Sequence, residues 1–154
     1  GMSIGDSILD HFSITKIDNE KKYYYEKEGK KLTGLEFKDL DSLKLYDNIQ
    51  ITYNNNYKIY GITGLIFYEN INECHKKQNE IAELLSNLFQ DAKKSIEEFP
   101  HTRDKSGKST IKGIYFDFIS GGYAQSSCYD WSDESQYYDH LRVGIITKEF
   151  QDLL

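Results

Sequence analysis

The chain of 154 residues has one proline, two cysteines, one tryptophan and no long apolar run. So little proline excludes a proline-rich linker, and 38% hydrophobic with 29% charged residues suits a folded domain rather than a disordered segment. The cysteines, Cys74 and Cys128, stand far apart in sequence. They do not form a disulfide framework, a chain of this size does not need one, and both are expected to be reduced. No segment approaches the roughly 18 apolar residues of a membrane span. The stretch Met2 to Asp6 lacks a charged region followed by an apolar one, so a cytoplasmic location is expected. Positive charge is also in deficit, with 19 Lys and Arg against 25 Asp and Glu and a net charge of −6. That balance opposes nucleic-acid binding and anionic membrane surfaces, both of which rely on Lys and Arg, and steers the chain toward basic partners.

What is abundant is tyrosine, with 13 copies beside 8 phenylalanines. Aromatic packing with phenol groups at the rim of the core is the expectation. The length suits one domain, read as Met2 to Leu154, with Gly1 taken as a remnant of cloning.

Periodicity divides the chain into elements. Ile4, Ile8, Leu9 and Phe12 have helical spacing and predict a short N-terminal helix over Ser3 to Phe12. Lys22 to Glu28 and Lys31 to Phe37 flank a turn at Glu28-Gly29-Lys30 and predict a hairpin. Asp39 to Tyr46 fits neither period cleanly. Asn48 to Tyr53 and Tyr57 to Tyr68 predict a second hairpin through Asn54-Asn55-Asn56, with a bulge or bend at Gly61 and Gly64. Residues Ile71 to Phe99 read as one amphipathic helix of roughly 40 Å, opened by Asn70 and Glu73 and stopped by Pro100, with Gln78 inside its apolar stripe. Strands follow over Thr110 to Ile119, Tyr123 to Tyr129 and Leu141 to Thr147, with a turn at Gly121-Gly122, then a short helix over Lys148 to Leu154. Strands grouped on either side of one helix predict an α+β fold: a mainly antiparallel sheet of about six to seven strands packed against one long amphipathic helix, with short terminal helices.

Motifs with known chemistry fail at decisive positions. Ser106-Gly107-Lys108-Ser109-Thr110 contains the Gly-Lys-Ser of a phosphate-binding loop, but Thr102 stands where a leading glycine is needed and a strand follows instead of a helix, so it reads as a solvated turn. Adjacent Cys74 and His75 on a helix point about 100° apart and cannot share a metal, and no pair has zinc-ligand spacing. The acids after Asp130 lack the glycine and the final glutamate of a calcium loop, with Ser135 and Leu141 at those places. No cofactor or metal is expected.

Two function classes remain. Tyr129, Asp130, Trp131, Asp133, Glu134, Tyr137 and Tyr138 form a dense aromatic and acidic block between two strands, which suits a non-catalytic module that binds a basic protein, of immunity- or inhibitor-like character. Packing of the same loop onto its own domain, with Trp131 filling the core, is the structural alternative. The other class is a small hydrolase or transferase with Cys128 as nucleophile, His140 as base and Asp117 orienting them. A small-ligand-binding domain with an aromatic cavity is a further alternative.

Overall fold

The computed structural model describes residues 1–38, 40–41 and 44–154; of the segment Asp39 to Tyr46, residues Asp39, Ser42 and Leu43 lie outside the described ones. The fold is α+β, with an antiparallel sheet of eight strands in the order β1-β2-β3-β4-β8-β7-β6-β5. The strands are β1 (Lys21–Lys27), β2 (Lys30–Lys38), β3 (Asn48–Tyr53), β4 (Ile59–Phe67), β5 (Lys93–Pro100), β6 (Thr110–Asp117), β7 (Tyr123–Asp130) and β8 (His140–Ile146). Helices are α1 (Ile14–Asn19), α2 (Ile71–Leu88) and α3 (Lys148–Gln151). Among the described residues, no helix is long and apolar enough to cross a membrane.

The chain divides into two compact units, one of residues 1–64, 120–122 and 144–154, the other of residues 65–119 and 123–143. In the first, the hairpin β1–β2 closes with Lys27 opposite Lys30. Glu28 and Gly29 both have positive φ there, at 52° and 77°, the two-residue geometry that matches strand twist. Leu35 and Phe37 of β2 lie opposite Ile51 and Ile49 of β3. With Ile8, Ile17, Tyr53 and Ile59 they form the unit's buried core. The glycines of β4 are not breaks in the strand, which runs through both. They are clearances for rings: a Cβ at Gly61 would meet Phe150 at 2.7 Å, and one at Gly64 would meet Tyr46 at 2.4 Å.

The expected helix over Ser3 to Phe12 is reduced to a 3-10 turn at Ile8–Asp10. Its backbone groups are taken by the chain beside β4: Gly5 and Ile8 donate to Ile59 and Tyr57 at 3.0 and 2.8 Å, and Ile59 donates to Asp6 at 2.9 Å. A segment held in such a bridge cannot also close helical hydrogen bonds. Helix α1 starts later, where Ser13 accepts from the amide of Lys16.

In the second unit α2 is shorter than expected. Asn70 caps it by accepting from Asn72 at 2.9 Å. It stops at Leu88, and Lys93–Pro100 is strand β5, paired along its whole length with β6. This strand raises the sheet to eight. Lys and Glu favour helix, and Ala92, Ile96 and Phe99 continue the stripe of α2, yet the backbone pairing with β6 outweighs local propensity. Pro100 ends an edge strand, where a missing N–H costs no ladder bond.

Helix α2 covers one face of β6 and β7. Ala82 packs with Ile114, Phe116 and Ala124. Gln78, the polar interruption of the stripe, is 1% exposed and donates to the carbonyls of Lys112 and Ser126 at 2.6 and 2.8 Å. Ser126 Oγ returns a bond to the carbonyl of Gln78 at 3.2 Å. This polar lock fixes the rotation and height of the helix on the two strands.

Candidate binding site

Cys74 and Cys128 are joined in a disulfide. Both are buried, against Leu141 and the side chains of Ile66, Tyr68, Ile71, Ile81 and Val143. The expectation of two reduced cysteines is thereby corrected: each side chain points inward from its own element, and the seating of α2 on β7 brings them together. No thiol remains at Cys128 to act as a nucleophile. Asp117 is also remote from Cys128. Asp117 lies opposite Tyr123 while Cys128 lies opposite Lys112, which puts five residues, roughly 16 Å, and opposite sheet faces between them. His140 is buried, its Nδ1 donates to the carbonyl of Tyr138 at 2.9 Å, and its ring stacks on Tyr129 at 4.6 Å. With Cys128 bonded to Cys74, His140 has no thiol to activate.

The acidic and aromatic block has a definite geometry. Trp131 stands between two rings, His101 at 4.3 Å and Tyr137 at 4.5 Å. His101 also lies 5.7 Å from Tyr129, whose ring carries the Arg142 guanidinium at 5.1 Å. A chain of ring contacts thus runs Tyr137, Trp131, His101, Tyr129, His140, with the last pair stacked and the others tilted. The amide of Trp131 donates to Asp139 at 2.7 Å. Its indole Nε1 is buried with no acceptor among the described residues, so packing alone orients the ring.

A second tie comes from a loop that looks unremarkable in sequence. Asp104 Oδ2 accepts from the amide and hydroxyl of Ser109, at 3.0 and 2.5 Å, and from Ser132 Oγ at 3.1 Å. Its Oδ1 accepts from the amide of Ser106 at 2.9 Å. The amide of Ser132 donates to Ser109 Oγ at 2.9 Å. One carboxylate therefore knits the loop 101–109 to the loop 131–139. The donors from Ser109 and Ser106 hold the Asp104 carboxyl well below the usual carboxylate range. The Gly-Lys-Ser stretch serves this purpose: Ser109 is buried in the knot, and Lys108 makes an ion pair with Glu134.

Trp131 is shared by two clefts of about 290 and 300 Å³. The first is lined by Lys108, Asp130, Ser132, Asp133 and Glu134, the second by Arg103, Asp104, Ser135, Gln136 and Tyr137. Asp130 titrates higher than an ordinary aspartate because of burial and then the charge of Asp139. His101 titrates lower than an ordinary histidine because of burial and then the charges of Arg103 and Arg142. Of the seven residues expected at the site, Asp130, Trp131, Asp133, Glu134 and Tyr137 line the clefts. Tyr138 is exposed beside them, and Tyr129 is part of the chain of ring contacts behind Trp131. His101, Asp104, Lys108 and Ser109 were not legible as site residues, because their roles depend on one loop meeting another. Among the described residues, no three His, Cys, Asp or Glu side chains are grouped to hold a metal ion.

No protein family, curated protein or solved structure matches this chain.

Proposed function

We propose that the chain is a non-catalytic binding module that engages a basic protein through the two clefts around Trp131. The observation that carries this reading is the position of Trp131: a large ring, clamped between His101 and Tyr137, forms a wall of both clefts. A pre-fixed aromatic loses little side-chain freedom on binding, which is what makes such residues hot spots. Asp130, Asp133 and Glu134 on one side supply the charge that draws a cationic partner. The alternative hydrolase or transferase reading loses its nucleophile, because the Cys128 thiol is taken up in the disulfide.

The disulfide bears on where this binding takes place. A buried structural disulfide suits an oxidising compartment rather than the cytoplasm. Protein taken from its native source under alkylating conditions is expected to carry no free thiol.

The test is recovery of a tagged chain from its own cells, with the eluted partner then purified and titrated against the chain. Trp131 is the single tryptophan, so its fluorescence reports from the site itself. A basic partner whose binding weakens at least about tenfold in Asp133→Lys/Glu134→Lys, with unfolding unchanged, agrees with the proposal. A partner that binds this variant as well as the native chain, or leaves Trp131 fluorescence unmoved, refutes it.

A further inference from the structure

We infer that the outer edge of β5 is a self-association site, to which β5 of a second copy of this chain adds antiparallel. Among the described residues, strand β5 ends the sheet order and pairs on one side only, with β6. Seven of its eight residues are exposed, among them Ile96 at 64% and Phe99 at 39%. An edge this long presents a row of backbone donors and acceptors, and natural proteins usually blunt such edges with charge.

Here the charges are ordered rather than scattered: Lys93 and Lys94 at one end, Glu97 and Glu98 at the other. When two identical strands pair antiparallel in one continuous sheet, the two-fold axis is perpendicular to the sheet and passes through a residue pair. Centred on Ile96, that axis sets Ile96 against Ile96 of the second copy, Lys94 against its Glu98, and Glu98 against its Lys94. All three pairs stand on one face, two ion pairs flanking an apolar contact. Moving the axis to Glu97 would set glutamate against glutamate; moving it to Ser95 would keep two Lys93–Glu97 pairs but set Ile96 against Lys94, so charge and the Ile96–Ile96 contact together favour the Ile96 axis. Pro100, with no N–H, limits the ladder to Lys93 through Phe99. The charges that deter a generic strand are thus complementary to this one.

The other edge, β1, has Lys22 and Glu26 around Tyr24, but Lys22 already pairs with Asp18 at 3.5 Å and Lys31 lies over the Tyr24 ring at 4.8 Å. It serves as the control.

The experiment is sedimentation of the full chain over a concentration series, with thermal unfolding to verify that each variant is folded. The native chain is expected to dimerise. Lys94→Glu alone and Glu98→Lys alone are expected to weaken the dimer about tenfold or more, since each creates two like-charged pairs. Mixing the two variants restores both ion pairs and is expected to give a heterodimer. The exposed Ile96→Lys is a second probe that also dissociates the dimer and does not rely on the pairing of Glu98 with β6. A native chain that stays monomeric at millimolar concentration overturns the inference. So do a mixture that stays monomeric and a dimer that Tyr24→Lys dissociates but Ile96→Lys does not.

Discussion

The two compact units are packed by different kinds of contact. In the first, aliphatic and aromatic packing dominates, with Phe37 stacked on Phe12 at 4.3 Å, and the buried Asn48 donates to Glu36 at 2.6 Å. In the second, the helix is fastened to its strands by a covalent bond and by a buried amide, with apolar packing around them. An apolar core tolerates repacking because its contacts are non-directional, whereas the cross-link and the Gln78 lock each specify a single seating of α2. The second unit is the one that carries the clefts. A site made of two loops at one end of the sheet needs the strands beneath it in fixed register, and the directional ties supply that.

The largest expected effect separates the units. Closing a loop across 54 positions lowers the entropy of the unfolded chain enough to stabilise the fold by about 4 kcal/mol. Cys74→Ser/Cys128→Ser should lose about that much, and hydrogen exchange should show the loss in β6, β7 and α2 while β1 to β3 keep their protection. Phe37→Ala, by contrast, should cost about 3–5 kcal/mol and expose β1 to β3 first. Equal loss of protection everywhere in both variants would mean that the units unfold as one, and the comparison would fail.

Next in size is Gln78→Ala. It strips a partner from two carbonyls and leaves a gap in a tight interface, so about 2–4 kcal/mol of stability should go, measured by denaturant unfolding. A Gln78→Leu variant fills the gap but leaves the carbonyls unpaired. If it matched the native chain, the lock would be packing rather than hydrogen bonding.

A smaller effect, at the site itself, depends on pH. Asp104 titrates below the ordinary aspartate range in the folded chain. Its stabilising contribution is therefore fully present above the unfolded value of about 3.9 and declines as pH falls below it. Asp104→Asn should be less stable than the native chain at neutral pH, with the gap narrowing under about pH 4. Trp131 fluorescence should show the two loops loosening in the variant. A gap independent of pH would mean that the carboxylate charge has no part in the knot.

The hairpins were legible because their signals are local. Glu28-Gly29 and Asn54-Asn55-Asn56 are turn residues, and Asn54 Oδ1 accepts from Asn56 and Lys58, both at 3.0 Å, as such residues do. The terminal strands β6 to β8 and helix α3 were legible for the same reason. What escaped depends on partners distant in sequence. Strand β5 exists because β6 pairs with it, the disulfide because α2 lies on β7, and the Asp104 knot because two loops meet. Cys74 in the helix stripe and Cys128 on an inward strand position each hinted at burial, but neither residue alone states that the other is opposite. The aromatic density around Trp131 marked the segment that lines the two clefts, although composition could not tell that Tyr129 would lie behind it.

The smallest expected change in stability tests the site most cleanly. Lys108 and Glu134 are both well exposed, so their ion pair should contribute under about 1 kcal/mol, and Lys108→Met should unfold almost as the native chain does. Lys108 is nevertheless the basic side chain lining the acidic cleft. Its removal leaves Glu134 without that counter-charge and makes the cleft more negative, so a basic partner should associate faster, with the gain shrinking as salt screens it. Asp104 binds the loops and Lys108 only neutralises one of them, so the two substitutions should act in opposite proportion: Asp104→Asn on stability more than on charge, Lys108→Met on charge alone. If Lys108→Met slowed association or left it unchanged, Lys108 would be a contact to the partner rather than its competitor, and the cleft would be read as a site of mixed charge.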